Sequence, residues 1–187
     1  MSKTFRKTLL AGAILTALAA PASAALLSFG TPEAPFRVGE LFEVSVQVSE
    51  LAAPLGAFDL QFNYNPGVLT FSHYTLGDAL GSIDLFEALD FSMGEVAAGA
   101  VHLGSLSLLT DLSSQPLSFT LGSLYFTALK TSPTRLSLSA VNLSSDWGEA
   151  IAATTASVRV NAVPEPGSMA LLLGGLGLMG FAARRRG

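Results

Sequence analysis

The chain has 187 residues, half of them hydrophobic, a formal net charge of −4 and no cysteine. That length holds one ordinary domain plus processing segments. The missing thiols exclude disulfides, thiol nucleophiles and Cys-ligated zinc or iron–sulfur sites.

The first residues read as a secretory signal peptide. Lys3, Arg6 and Lys7 form a basic n-region, Leu9 to Ala19 an apolar h-region, and Ala22-Ser23-Ala24 a small-x-small cleavage pattern. The expected cut falls between Ala24 and Ala25, so residues 1–24 are a leader for Sec-type export machinery. The h-region is well short of the roughly 20 residues a spanning helix needs, which argues against an uncleaved anchor.

From Ala25 to Ala162 the charge balance changes. Only Arg37, Lys130, Arg135 and Arg159 stand against thirteen carboxylates, which leaves residues 25–162 at −9. So few cations cannot overcome phosphate repulsion, and nucleic acid is excluded as a partner. The acidity favours solubility and basic partners or cations.

Residues 25–162 form the predicted domain, and short alternating runs fill it. In LFEVSVQVS, Phe42, Val44, Val46 and Val48 share one face, opposite Glu43, Ser45, Gln47 and Ser49. AFDLQFNYN repeats the pattern with Phe58, Leu60, Phe62 and Tyr64 inward. The turn Asn65-Pro66-Gly67 stops that strand, and VLTFSHY starts the next. Two later runs change phase at a glycine. In AVHLGSLSLL the apolar set moves from Val101 and Leu103 to Leu106 and Leu108 across Gly104. In LSFTLGSLYFTAL it moves from Leu117, Phe119 and Leu121 to Leu124, Phe126 and Ala128 across Gly122. A one-residue bulge at each glycine would keep both halves facing the core. RLSLSAV and ASVRV supply the last strands, and only DALGSIDLFEAL has room for a turn or two of helix. About eight or nine short strands with regular turn signals predict an all-β, antiparallel β-sandwich.

Catalytic chemistry has little to build on. His73 and His102 are the only histidines, and His73 lies in phase with Leu69 and Phe71, as a packed or edge residue would. The chain has no G-x-S-x-G elbow, H-E-x-x-H or P-loop, and its serines fall on solvent faces and in loops. A Ser-His-Asp arrangement would have to recruit one of the two histidines. Asp78, Asp84, Glu87 and Asp90, in a loop with Phe86, offer the hard oxygen ligands that suit calcium. Their spacing matches neither an EF-hand nor a nonapeptide repeat, so a solvated acidic loop is expected and no cofactor is assigned. Trp147 is the sole tryptophan. With Tyr74, Phe86 and Phe91 it is an aromatic expected off the core.

Residues 163–187 have a different character. Pro164-Glu165-Pro166 precedes a greasy stretch from Met169 to Ala183, which Arg184, Arg185 and Arg186 close. As a helix that stretch spans about 22–25 Å at ~1.5 Å per residue, short of the ~30 Å hydrocarbon core. It can still insert with bilayer thinning or snorkelling arginines, which stay cytoplasmic by the positive-inside rule.

Two resemblances follow from these residues. Val38 to Gly81 is similar to the N-terminal half of cohesin-type domains: Gly56, Phe58, Asn65, Pro66, Val68, Leu69 and Phe71 match the family core, with Tyr64 just before the turn. LGSLYFTALKTSPTRLSLS resembles that family's closing strand, so the likeness runs from Leu26 to Val160. It implies a jelly-roll β-sandwich; the best-known members bind dockerin modules, and no dockerin-recognition residues are assigned here. The Pro-Glu-Pro turn, apolar helix and basic end together resemble the PEP-CTERM sorting signal. That resemblance implies processing by an exosortase, a transient inner-membrane anchor and an association with exopolysaccharide and biofilm matrix.

The expectation is thus a non-enzymatic exported domain, adhesive or structural, at the cell surface or in the extracellular matrix. Its partners would be the exosortase, the membrane through the tail, and exopolysaccharide or another surface protein. The rivals are a carbohydrate-binding or hydrolytic surface domain and a permanently anchored periplasmic protein.

Overall fold

The computed structural model describes residues 24–30, 36–163 and 185. Within them the chain forms eleven strands in order: β1 (Ala25–Phe29), β2 (Leu41–Ser49), β3 (Leu55–Asn63), β4 (Leu69–Leu76), β5 (Ala88–Asp90), β6 (Gly94–Ala97), β7 (Ala100–Ser107), β8 (Phe119–Ala128), β9 (Thr134–Ser145), β10 (Ala153–Thr155) and β11 (Val158–Val160). Five strands lie side by side in the order β10-β1-β2-β8-β4, and the second sheet runs β11-β9-β3-β7-β5 with β6 also on β7. The expected eight or nine strands become eleven. The additional ones, such as β5 and β10, are three residues long, too short for an alternating pattern to declare itself. Pairing is antiparallel except where β1 lies parallel to β10.

The alternation in β2 and β3 has its expected outcome. Val44, Val46 and Val48 from one sheet meet Phe58, Leu60 and Phe62 from the other, all buried. Phe126 is the aromatic centre, with ring centroids 6.1 Å from Phe42, 5.1 Å from Tyr64 and 5.8 Å from Phe71. Each such side chain contributes about 1.5–3 kcal/mol by leaving water. The Asn65-Pro66-Gly67 turn is closed by the Asn65 side chain, whose Oδ1 accepts from Gly67 N at 2.9 Å.

Of the two phase-shifting glycines, one behaves as expected. Between β2 and β8 the register jumps: Val46 faces Gly122 and Gln47 faces Thr120, which leaves Leu121 as the extra residue. Leu121, Leu124 and Phe126 are therefore all buried, whereas Leu117 precedes the strand and is exposed. At Gly104 there is no bulge. Asp59, Phe58 and Ala57 face Gly104, Ser105 and Leu106 in unbroken register. Ser105 takes the inward position, and Leu106 and Leu108 turn out to solvent. Gly104 serves a different purpose, because a Cβ there would overlap the ring of Phe91, which lies over it. A bulge does occur where none was expected, between Phe71 and His73. It takes His73 out of phase with Phe71 and stacks it on Tyr125, with ring centroids 4.3 Å apart.

No helix forms in DALGSIDLFEAL. The segment is a loop closed by Gly81 N to Asp78 O at 2.9 Å, Phe86 N to Ile83 O at 3.0 Å and Glu87 N to Ser82 O at 2.9 Å. The loops 77–87, 108–118 and 146–152 all cluster at one end of the sandwich. At the other end Val163 N donates to Phe36 O at 2.9 Å, and Val163 bridges Arg37 in parallel fashion. Among the described residues no helix is long and apolar enough to cross a membrane. The expected leader up to Ser23 and the expected tail helix both lie outside the described residues.

Candidate functional site: an apolar sheet face beside Trp147

The outward face of β5, β7, β3 and β9 carries side chains that water does not explain. Leu89, Leu106, Ala57 and Ser144 stand in register across it. Leu89 is 47% and Leu106 40% exposed although both belong to regular strands. In the next row Gly104 lies opposite Asp59, under the Phe91 ring. His102 anchors the third. Its Nδ1 accepts from Met93 N at 3.3 Å, so Nε2 carries the proton and donates to Asp59 Oδ1 at 3.2 Å. The histidine is thereby fixed as part of the sheet surface.

A hairpin at the loop end raises Trp147 beside this face. Ser145 Oγ accepts from Trp147 N at 3.3 Å and Glu149 N at 3.1 Å, and Gly148 supplies the positive φ of +78° that closes the turn. Asp146 N donates to Pro54 O at 3.2 Å, tying the hairpin to the loop before β3. The indole is left 86% exposed. Between it and the sheet lies a groove of about 440 Å³, with Ala57, Leu106, Leu109 and Leu112 among its apolar lining and Asp146 and Ser144 at its polar side. The loop 77–87 adds a second apolar prominence. Its backbone is held by the bonds named above, yet Phe86 is 81% exposed and sits at a φ of +59°, unusual for a bulky residue.

The aromatics expected off the core are off it in three cases, Phe86, Phe91 and Trp147. Tyr74 is the exception: it packs against the core and donates its hydroxyl to Asp90 Oδ2 at 3.0 Å. Burial and that carboxylate push its phenol upward. Tyr64 is likewise held, by a hydrogen bond to Glu95.

The acidic residues Asp78, Asp84, Glu87 and Asp90 are not brought to one point. Glu87 Oε2 accepts from Ser82 N at 3.1 Å, and Asp90 Oδ1 accepts from Ser92 N at 2.8 Å. No group of three metal-binding side chains occurs among the described residues. His73 on β4 and His102 on β7 belong to different sheets. Of the cleavage pair, Ala25 is fully buried at the start of β1, its N donating to Ala152 O at 2.8 Å. Pro164, Glu165, Pro166, Arg184 and Arg186 lie outside the described residues, and Arg185 is exposed. The leucine face itself was legible only in part. Leu106 looks like core in sequence because nothing local says which side of β7 the partner sheet covers.

The described residues thus form a two-layer β-sandwich with an exposed apolar sheet face. Residues 26–160 match the cohesin domain family, and the chain belongs to it. Residues 162–186 match the PEP-CTERM protein-sorting motif, which implies an exported chain with a transient membrane anchor. No curated protein matches the sequence significantly. Solved cohesin modules share the fold. One comes from a family 33 glycoside hydrolase of Clostridium perfringens, with 17% identity over 75% of this chain and 97% of that module and a TM-score of 0.61. The sixth cohesin of scaffoldin B from Acetivibrio cellulolyticus, solved with a Cel5 dockerin, has 17% identity over 75% and 100% of the two chains and a TM-score of 0.60. A non-cellulosomal cohesin from the archaeon Archaeoglobus fulgidus has 16% identity over 79% and 96%, also with a TM-score of 0.60.

Proposed function

We propose that this chain is an exported, non-catalytic protein-docking module. It is directed through Sec-type machinery by residues 1–24, which are then removed, is held transiently by its tail and is cut by an exosortase at or near Pro164-Glu165-Pro166. It then serves an adhesive or structural role at the cell surface or in an exopolysaccharide matrix.

The observation that carries this reading is the Leu89–Leu106 row beside the Trp147 groove. Aliphatic side chains on a regular sheet face lose their hydration cost only when another surface covers them. A partner with an apolar face and basic flanks fits, because the loops at this end are acidic. Leu106→Asp combined with Trp147→Ala should leave folding and release unchanged and cut retention in the extracellular matrix fraction at least tenfold. Retention equal to the unaltered chain would refute the docking face.

One feature supports a second reading. An exposed indole beside Asp146 and Ser144 is also the kind of platform on which a sugar ring stacks. Affinity electrophoresis in gels containing the cell's own exopolysaccharide separates the two: retardation lost in Trp147→Ala alone, with Leu106→Asp silent, favours the glycan.

A further inference from the structure

The four cations of residues 25–162 are not scattered. Arg37 is bridged to Val163, Lys130 follows β8, Arg135 is the second residue of β9, and Arg159 is the middle residue of β11. All four sit at the end of the sandwich where the chain leaves toward the tail. The opposite end carries Glu50, Asp78, Asp84, Asp111, Asp146 and Glu149 in its loops and, among the described residues, no lysine or arginine. The tail end also holds Glu40, which accepts from Arg37 N at 2.8 Å, and Glu95, bonded to Tyr64, yet all four cations of a strongly acidic module gather at this one pole.

Within that pole Arg135 and Arg159 are direct register partners across β9 and β11. Their strand neighbours Thr134, Leu136, Val158 and Val160 are buried, so both guanidinium groups emerge on the same outer surface. With Pro133 and Thr134 they line a recess of about 260 Å³. Among the described residues neither arginine has a carboxylate within ion-pair distance. Like charges directly opposite on adjacent strands destabilise a sheet. An anion between the two forks removes that repulsion, and guanidinium groups match phosphate oxygens in a paired, planar way.

We propose that this pole is a membrane-facing base, in which Arg135 and Arg159 bind the phosphates of anionic phospholipid headgroups while the tail holds the chain at the bilayer. The proposal rests on the transient anchoring given above. Arg159 stands only four residues before Val163, where the tail begins. A tail seated in the membrane brings these cations within reach of the headgroups, where attraction acts over a screening length of about 8 Å at physiological salt. Lys130 and Arg37 add to the attraction. The docked base would point the acidic loops and Trp147 away from the bilayer, toward partners.

The test uses the full chain on vesicles of phosphatidylcholine, with and without phosphatidylglycerol, containing a headgroup-linked quencher. The sequence has no cysteine, so Ser132→Cys and Ser113→Cys each give a single fluorophore, at the basic and the acidic pole. On vesicles with phosphatidylglycerol the Ser132 label should be quenched several-fold more than the Ser113 label. High salt, omission of phosphatidylglycerol, or Arg135→Gln with Arg159→Gln should each abolish the difference while flotation with the vesicles persists. The salt arm decides the matter should the double variant misfold. Flotation with equal quenching at both poles would overturn the docking and leave the anchoring intact. Failure to float on either vesicle would overturn the anchoring and the docking with it. Retention on polygalacturonate without quenching on vesicles would replace the lipid by an acidic polysaccharide.

Discussion

Tyr64 shows how one side chain ties two pieces of the sandwich together. It ends the alternation of β3, packs its ring against Phe126 and donates its hydroxyl to Glu95 on β6. Burial first, and then the hydrogen bond to that carboxylate, push its phenol from 10.0 up to about 12. The fold therefore holds the proton more tightly than the unfolded chain does. This contribution is complete below pH 10 and is lost as the pH rises from 10 to 12. Urea midpoints should fall through that window, and Tyr64→Phe should remove part of the fall while costing about 1 kcal/mol at neutral pH. An identical pH profile in the variant would dissociate Tyr64 from it. Phe62 makes a simpler case. It is fully buried at the junction of the sheets, edge-on to Phe29 at 6.0 Å. Phe62→Ala should cost about 3–5 kcal/mol in denaturant titration, from lost transfer energy and the cavity left behind.

Among the elements, β8 is the best place to see how a bulge joins two incompatible phases. Leu121 is inserted opposite β2, and Gly122 then lies against the backbone of β4, where a Cβ would meet Thr75 O at 2.5 Å. Gly122→Val should force β4 away from β8 while leaving the pairing of β8 with β2. Amide exchange should then quicken along Leu69–Leu76 by an order of magnitude or more, with β2 unaffected. Uniform loss of protection in both strands would mean that the bulge is a core feature of the whole sheet. The contrast with Gly104 is instructive, since both glycines mark a change of apolar phase. At one the backbone of β4 approaches; at the other the Phe91 ring does, and the strand continues straight.

For the molecule as a whole, the order of events matters. Ala25 is buried and bonded to Ala152, so a protease cutting between Ala24 and Ala25 needs β1 undocked. Leader removal would then precede completion of the five-stranded sheet. At the other terminus the proposed sorting puts the cut at Pro164-Glu165-Pro166. Replacing those three residues by alanine should leave export intact and trap a full-length, membrane-bound form. Changing Arg184, Arg185 and Arg186 to serine should let uncut chains escape, because dragging each arginine to mid-membrane costs about 2.5–3.5 kcal/mol. Intact masses from membrane and medium, in cells with and without the exosortase, report both. Mature protein that starts at Ala25 and ends before Met169 is the expected result, and release indifferent to the motif and the enzyme would sink the sorting mechanism.

The alternation of Phe42 to Val48 and of Phe58 to Tyr64, the Asn65-Pro66-Gly67 turn and the Pro-Glu-Pro tail are local patterns. The sequence by itself therefore determined an all-β sandwich of the cohesin kind followed by a sorting segment. Strand periodicity is carried by neighbours two residues apart, and a motif by neighbours in line, so both survive without coordinates. What lay beyond reach depended on partners distant in the chain. Whether Leu106 faces core or solvent is set by which side of β7 the other sheet covers. Whether Arg135 and Arg159 oppose each other is set by the register of β11 on β9. Only the tertiary structure decides such pairings, because one residue of slip carries every side chain to the opposite face and no local signal fixes the slip.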